Sequence, residues 1–389
     1  MGRTMDISES YSQVIKLVDE FCDEHFNEER IRQWIESRGV PNSLYDAFFG
    51  SELGSYVMPV NAGGRACPFD ERVAVTMQLT RRAGATLPFL SDMISMALLS
   101  TMRSLSQREI AEDLLPRSGR VTFSQAFSEE AAGSDASAVK TVVSLESDEI
   151  VLDGRKTFVS NGQFASDTLV LASDPIFGRA DGGLSLWLVP LDTQGVSTFP
   201  LNTVGQEMLA PAMISFDRVV LDPKWQIQSE GKLASMLKRQ YELGRILVCA
   251  SSLGLARAAM DDALGHAASH MVKGRRLSSL PQIQEKLADM EVRLRSMESL
   301  VYHAAKLAGD GGDEARLACA LMKRFVPKAA TDVASEALQI FGGAGYTDET
   351  RVGRIWQDCR GNQIAQGTDE IMVGLIAKLL VSEAVRDGA

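Results

Sequence analysis

The chain has 389 residues, 45% of them hydrophobic, enough to bury two or three cores of ordinary domain size and too apolar for a disordered tract. Its formal net charge of -11 excludes nucleic acid as the expected partner, because a phosphate backbone needs a basic face; a small anionic ligand held by local arginines stays open. No apolar run nears the roughly 18 residues of a membrane span, and the opening MGRTMDISESYSQVIKLVDEF carries acids and serines where a secretory leader needs an apolar stretch, so the expected address is cytoplasmic, with no membrane contact.

In chain order, the first 120 residues read as an α-helical domain. Apolar positions recur at mixed three and four spacing from Ser8 to about Pro116, as in Val14, Leu17, Val18 and Phe21, and turn clusters such as NAGGRACPFD separate the helices. Residues 121–223 read as an antiparallel β domain. Segments such as TVVSLES, EIVLDGRKTFVSNG, TLVLAS, LSLWLVPL and MISFDRVVLD are short and rich in β-branched and aromatic residues, and Asp153-Gly154 is among the turn signals that cut them. Residues 224–389 read as a four-helix bundle. Ile283, Leu287, Met290, Leu294, Met297, Val301 and Ala304 alternate four and three apart, the seam of a helix packed lengthwise against near-parallel neighbours; the GDGGD loop (Gly309 to Asp313) turns the chain into a further helix, Ala315 to about Ile340. The fold class is thus mainly α with a middle β domain. Five dispersed cysteines and four isolated histidines offer no metal-ligand spacing, so no metal is expected and the thiols are read as reduced and buried.

Five motifs in order then carry a resemblance. AFSEEAAGSD (Ala126 to Asp135), DGRKTFVSNG (Asp153 to Gly162), FDRVVL (Phe216 to Leu221), QIQEKLADM (Gln282 to Met290) and QIFGGAGYT (Gln339 to Thr347) resemble successive signatures of the acyl-CoA dehydrogenase family from about Val121 to the C-terminus. The resemblance implies FAD as cofactor and a CoA thioester as substrate. It also implies a homo-oligomer, dimer or tetramer, and an electron-transferring flavoprotein as candidate acceptor.

By matching position, Phe127, Ser128, Phe158 and Ser160 would meet the flavin ring, Phe158 standing where a tryptophan is usual and the serines where threonines are. His270, Gln339, Gly342, Gly343 and Thr368 would serve the rest of the cofactor, the glycine loop reaching a neighbour's FAD. Ser134, Glu242 and Arg245 would border the thioester. From spacing alone each keeps a plainer alternative: strand core for Phe158, a helix C-cap for the glycines, an N-cap for Thr368, a structural ion pair for Arg245.

The departures concern catalysis. The family's base is a glutamate just before the final G-T, where this chain has Gln366, or one on a bundle helix directly before an arginine, where it has Gly244. A carboxamide cannot take a proton at neutral pH. Glu242 and Asp92 are the acids considered as substitutes. His270 replaces an arginine and Lys273 a phenylalanine, with Arg275 or Arg276 able to compensate; Glu130, Gln206 and Glu207 replace a proline, a leucine and an arginine. Three readings stay open: a dehydrogenase desaturating an unusual acyl group, a base-less partner subunit of a mixed complex, and a flavin-binding scaffold without turnover.

Overall fold

The computed structural model describes residues 11–386 apart from 59, 61–63, 90–91, 96–122, 136–137, 179–182, 228–231 and 309–311. The helices expected across 96–116 and most of the GDGGD loop therefore lie outside the described residues. The helices are α1 (Ser12–His25), α2 (Glu28–Glu36), α3 (Asn42–Gly50), α4 (Glu52–Val57), α5 (Phe69–Ala83), α6 (Leu233–Ser269), α7 (Pro281–Leu307), α8 (Asp313–Phe341), α9 (Val352–Ile364) and α10 (Asp369–Arg386). The strands are β1 (Phe123–Ala126), β2 (Val142–Glu146), β3 (Glu149–Val159), β4 (Asp167–Ser173), β5 (Leu184–Pro190), β6 (Val196–Pro200), β7 (Ala212–Val220), β8 (Met271–Val272) and β9 (Arg275–Arg276). Two compact units result, one of Met1–Glu28, Pro68–Leu87 and Tyr241–Ala389, the other of Glu29–Cys67 and Pro88–Gln240.

The second unit is built on a seven-stranded sheet, β1-β4-β2-β3-β7-β6 with β5 on the other side of β4. The β2–β3, β3–β7, β4–β5 and β6–β7 pairs are antiparallel as expected, but β1 runs parallel to β4, which makes the sheet mixed. The β2–β3 hairpin lies between those two strands in the chain and supplies the crossover that a parallel pair needs. Its turn is Ser147-Asp148, both at positive φ (49° and 68°), the backbone of a tight two-residue hairpin. Asp153-Gly154 is not a turn. It sits inside the eleven-residue β3 at a register shift, with Gly154 at φ 146°, and a Cβ there would lie 2.6 Å from the Thr141 backbone. Glycine marks a bulge and a close backbone approach here. Trp187, Phe216, Leu152, Val170 and Val143 fill the core of the sheet. In the helices of the same unit, Phe48 stacks on Phe89 with ring centroids 4.2 Å apart.

In the first unit the periodic seam of α7 is fully buried from Met290 through Val301, while Ile283 and Leu287 stay half-buried at the start of the helix. The helix expected over Ala315 to Ile340 is α8. Although it holds no unbroken apolar run of that length, α6 is long enough and on average apolar enough to cross a membrane, but 83% of its most apolar stretch is buried inside the protein, as in a core helix. All five cysteines are buried and free. Where α5 docks on α1, Gln78 and Arg82 both donate to Asp19, and Tyr11 stacks on Tyr302 of α7 at 5.1 Å.

Candidate functional site

In the sheet unit the site residues are set by one buried ion pair. Lys156 of β3 is fully buried, and its Nζ donates to Glu129 Oε1 (2.8 Å) and to the Phe127 carbonyl (3.2 Å). The Glu129 carboxylate also accepts the backbone N–H groups of Lys140 (2.7 Å) and Thr141 (2.9 Å). Burial pushes the Glu129 carboxyl up, but Lys156 and the backbone donors outweigh it and hold the group at about 2; burial likewise pulls Lys156 below the ordinary lysine range. Thr157 N–H donates to the Ser128 carbonyl (2.9 Å), so the Phe127–Glu129 loop is laced to β3 at two consecutive residues.

Beyond this lacing β3 shifts register between Lys156 and Val159, and Phe158 takes φ 55°, a strained conformation for a bulky side chain. The bulge turns its ring outward, 71% exposed between buried Thr157 and Val159, which removes the strand-core alternative. Ser160 follows in the turn, which is fixed by Asn161. That buried residue stands at φ 62°, gives its N–H to the Leu209 carbonyl (2.6 Å) and its amide to the Pro88 and Phe123 carbonyls. Asparagine tolerates that left-handed backbone, so the turn follows locally from its sequence. Ser134 is exposed on the same loop system as Ser128. Asp92 is fully buried and accepts the Phe123 N–H (2.8 Å), anchoring the first strand.

In the helical unit Gly244 and Gln366, the two positions where the resemblance expects a base, converge. A Cβ built on Gly244 would lie 2.9 Å from Gln366 Oε1 and 3.0 Å from its Cδ, so the carboxamide occupies the notch that glycine leaves. Gln366 itself stands at φ 57° in the α9–α10 link, and Arg245 Nε donates to its carbonyl (3.1 Å). The Arg245 guanidinium lies 5.9 Å from the centroid of the Tyr241 ring and beside the Cys319 thiol, which burial pushes up to about 12 despite that cation. Glu242, the proposed substitute base, faces Arg316 of α8 at 3.8 Å. Thr368 directly precedes α10, and its carbonyl accepts the Met372 N–H (3.1 Å). Its hydroxyl bonds the Glu370 carboxylate, which also accepts its own backbone N–H and is lowered by both, so this helix end already has its anion.

Sequence reasoning missed Lys323. It is fully buried in α8 and donates to the Asn362 (3.1 Å) and Gln363 (3.3 Å) carbonyls at the end of α9, just ahead of Gln366. The available signal was a lysine following Cys319-Ala320-Leu321-Met322 on an apolar face.

At the far end of α6, His270 is exposed and its ring stacks on His266 (4.7 Å), which stacks on Phe341 (4.3 Å). Burial, with His270 second, lowers the pKa of His266. Gly342, at φ 63°, caps α8 through its N–H to the Gln339 carbonyl. A Cβ on Gly342 or Gly343 would meet no atom of the described chain within 4 Å, so both the cap and the open-backbone readings hold; Gln339 is exposed beside them. A cavity of about 420 Å³ lies at this end, lined by Asp262, His266, Phe341 and Arg351 among others. The exposed Phe158 ring and the hydroxyls of Ser128 and Ser160 suit the ring of a flavin. The bare Gly342-Gly343 backbone, with the exposed His270 ring in the same unit, suits close approach by a phosphate-bearing group.

Comparison with known proteins agrees with this geometry. The family model for the acyl-CoA dehydrogenase middle domain matches residues 124–219, and that for the acyl-CoA dehydrogenase C-terminal domain matches residues 234–381. A protein of Escherichia coli strain K12 named "Probable acyl-CoA dehydrogenase YdiO" is 28% identical over 382 residues, covering 97% of this chain and 99% of that one. An acyl-CoA dehydrogenase structure from Slackia heliotrinireducens is 35% identical with a TM-score of 0.85, covering 99% of this chain and 98% of that one. A glutaryl-CoA dehydrogenase from Mycobacterium smegmatis, solved with FADH2, shares the fold at 23% identity and a TM-score of 0.85, covering 96% of this chain and 95% of that one.

Proposed function

The chain belongs to the acyl-CoA dehydrogenase family of oxidoreductases, and we propose that it is an FAD-dependent enzyme acting on a CoA thioester, desaturating an unusual acyl group between its α and β carbons. The observation that carries this reading is the outward Phe158 at a strained bulge beside the laced Phe127–Glu129 loop. A bulky residue at positive φ with its ring in solvent costs stability, and a stacking partner accounts for keeping it. The flavin supplies hydride acceptance when bound. This chain's own residues orient it: Phe158 as an apolar face, Ser128 and Ser160 as hydrogen-bond groups, and the Gln339–Gly343 segment with His270 toward the nucleotide portion of a cofactor in a neighbouring copy.

In the helical unit, Gln366 stands at the reacting end of the thioester as a neutral carboxamide, with Arg245 fixing its backbone and Glu242 nearby. Ser134 serves the pantetheine portion. Of the acids considered as substitutes, Glu242 lies in the same unit as Gln366 and is the one proposed to take the α proton, whereas Asp92 is fully buried and anchors the first strand. The carboxamide also favours a second reading, a base-less subunit of a mixed complex whose companion chain does the chemistry.

The test is to incubate the purified protein with FAD and titrate it anaerobically with short, branched, aromatic and steroid-like CoA esters while following flavin bleaching. Stoichiometric flavin with bleaching by at least one ester supports the proposal. A protein that stays colourless with excess FAD contradicts it, and bound flavin that no ester reduces moves the assignment to the second reading.

A further inference from the structure

Behind Gln366 stand two cations, Lys323 with Asp369 as the carboxylate that acts on it, and Arg245 with no carboxylate bonded to it among the described residues. Lys323 is fully buried and bonded only to the Asn362 and Gln363 carbonyls; Arg245 is half-buried and bonded to the Gln366 carbonyl, the Tyr241 face and the Cys319 thiol. Among the described residues neither makes an ion pair. Glu242 faces Arg316 at 3.8 Å, and Asp369, bonded to Arg324 at 2.9 Å, also acts on Lys323 through space. The carbonyls at the end of α9 offer roughly half a negative charge through the helix dipole, which falls to Lys323 and leaves the Arg245 guanidinium with neutral partners. A charge taken out of water without a counter-ion is costly, and an anionic ligand group removes that cost. Gln366, seated in the Gly244 notch, presents amide N–H donors where a glutamate would repel an anion.

We infer that this end of the site takes an acyl group bearing its own carboxylate, bound against Arg245 and the Gln366 carboxamide. The inference rests on the proposed CoA-thioester function and names its substrate class. It also gives the missing glutamate a reason, since a fixed carboxylate there would oppose such a substrate.

The experiment is anaerobic isothermal titration of the FAD-loaded full chain with chain-matched pairs, succinyl-CoA against butyryl-CoA and glutaryl-CoA against pentanoyl-CoA. The wild type is expected to bind one carboxylate-bearing ester at least about tenfold more tightly than its neutral match, with the preference shrinking as salt is raised. Gln366→Glu should reverse the preference while leaving Arg245 and the backbone in place, and Arg245→Met should erase it. Should Arg245→Met fail to fold, Gln366→Glu still decides. Equal affinities within both pairs, or a wild-type preference for the neutral esters, would overturn the inference and leave the CoA-thioester function standing. Failure to bind any of the four esters or free CoA would overturn both.

Discussion

Glu129 and Lys156 are each buried, and each is tolerable only because of the other. Glu129→Gln leaves the Lys156 ammonium without a counter-ion in the sheet, so a loss of about 3–5 kcal/mol is expected in urea unfolding at pH 7, and because the Phe127–Glu129 loop is freed, flavin retention should fall with it. The pH dependence has a definite sign. With the folded carboxyl held at about 2, its contribution is complete above the ordinary glutamate pKa and is lost as pH falls from about 4.5 toward 2. Asp167 behaves oppositely. It is buried at the start of β4, and burial, with Asp192 adding to it, raises its carboxyl to about 6. A raised acid gives up stability as pH climbs from about 4 to 6, and the penalty stays constant above that. Asp167→Asn should therefore raise the unfolding free energy from urea titration at pH 7.5, by up to about 3 kcal/mol, and leave it nearly unchanged at pH 4.

The link between α9 and α10 is held from α6 and α8 by long cationic side chains, so its order depends on tertiary contacts more than on its own sequence. Lys323→Met removes the donor to the last carbonyls of α9; helix content should be retained while amide exchange across Ala365–Thr368 quickens, with a stability loss of about 1–3 kcal/mol. Unchanged exchange there would show that Arg245 alone fixes the link. This element also marks how far the sequence could be read. Periodicity and ordered motifs made the C-terminal helices and the β domain legible, because those depend on local pattern. The convergence of Gly244 and Gln366 was not legible, since 122 residues separate two positions that meet only after folding. Asp153-Gly154 misread as a turn for a related reason: the same glycine serves a turn or a bulge, and the close approach of Thr141 decides between them. The membrane-like composition of α6 reflects its burial among other helices.

At the scale of the whole molecule, the chain is a member of the acyl-CoA dehydrogenase family, and the proposed function sets Gln366 where the resemblance expects a base. If Gln339–Gly343 completes a neighbour's cofactor site, flavin and assembly are linked, and dilution to monomers in size-exclusion chromatography should release FAD; flavin retained by a monomer would contradict that link. The central claim is that the position held by Gln366 is a working base position with the base removed. Its most direct measurement is the anaerobic single-turnover rate of flavin reduction by butyryl-CoA and octanoyl-CoA, compared between the wild type and Gln366→Glu. A general base contributes a factor of roughly 10² to 10⁴, so reduction should be slow in the wild type and faster on that order in the variant with at least one ester. Fast reduction by the wild type, with no gain in the variant, would contradict it.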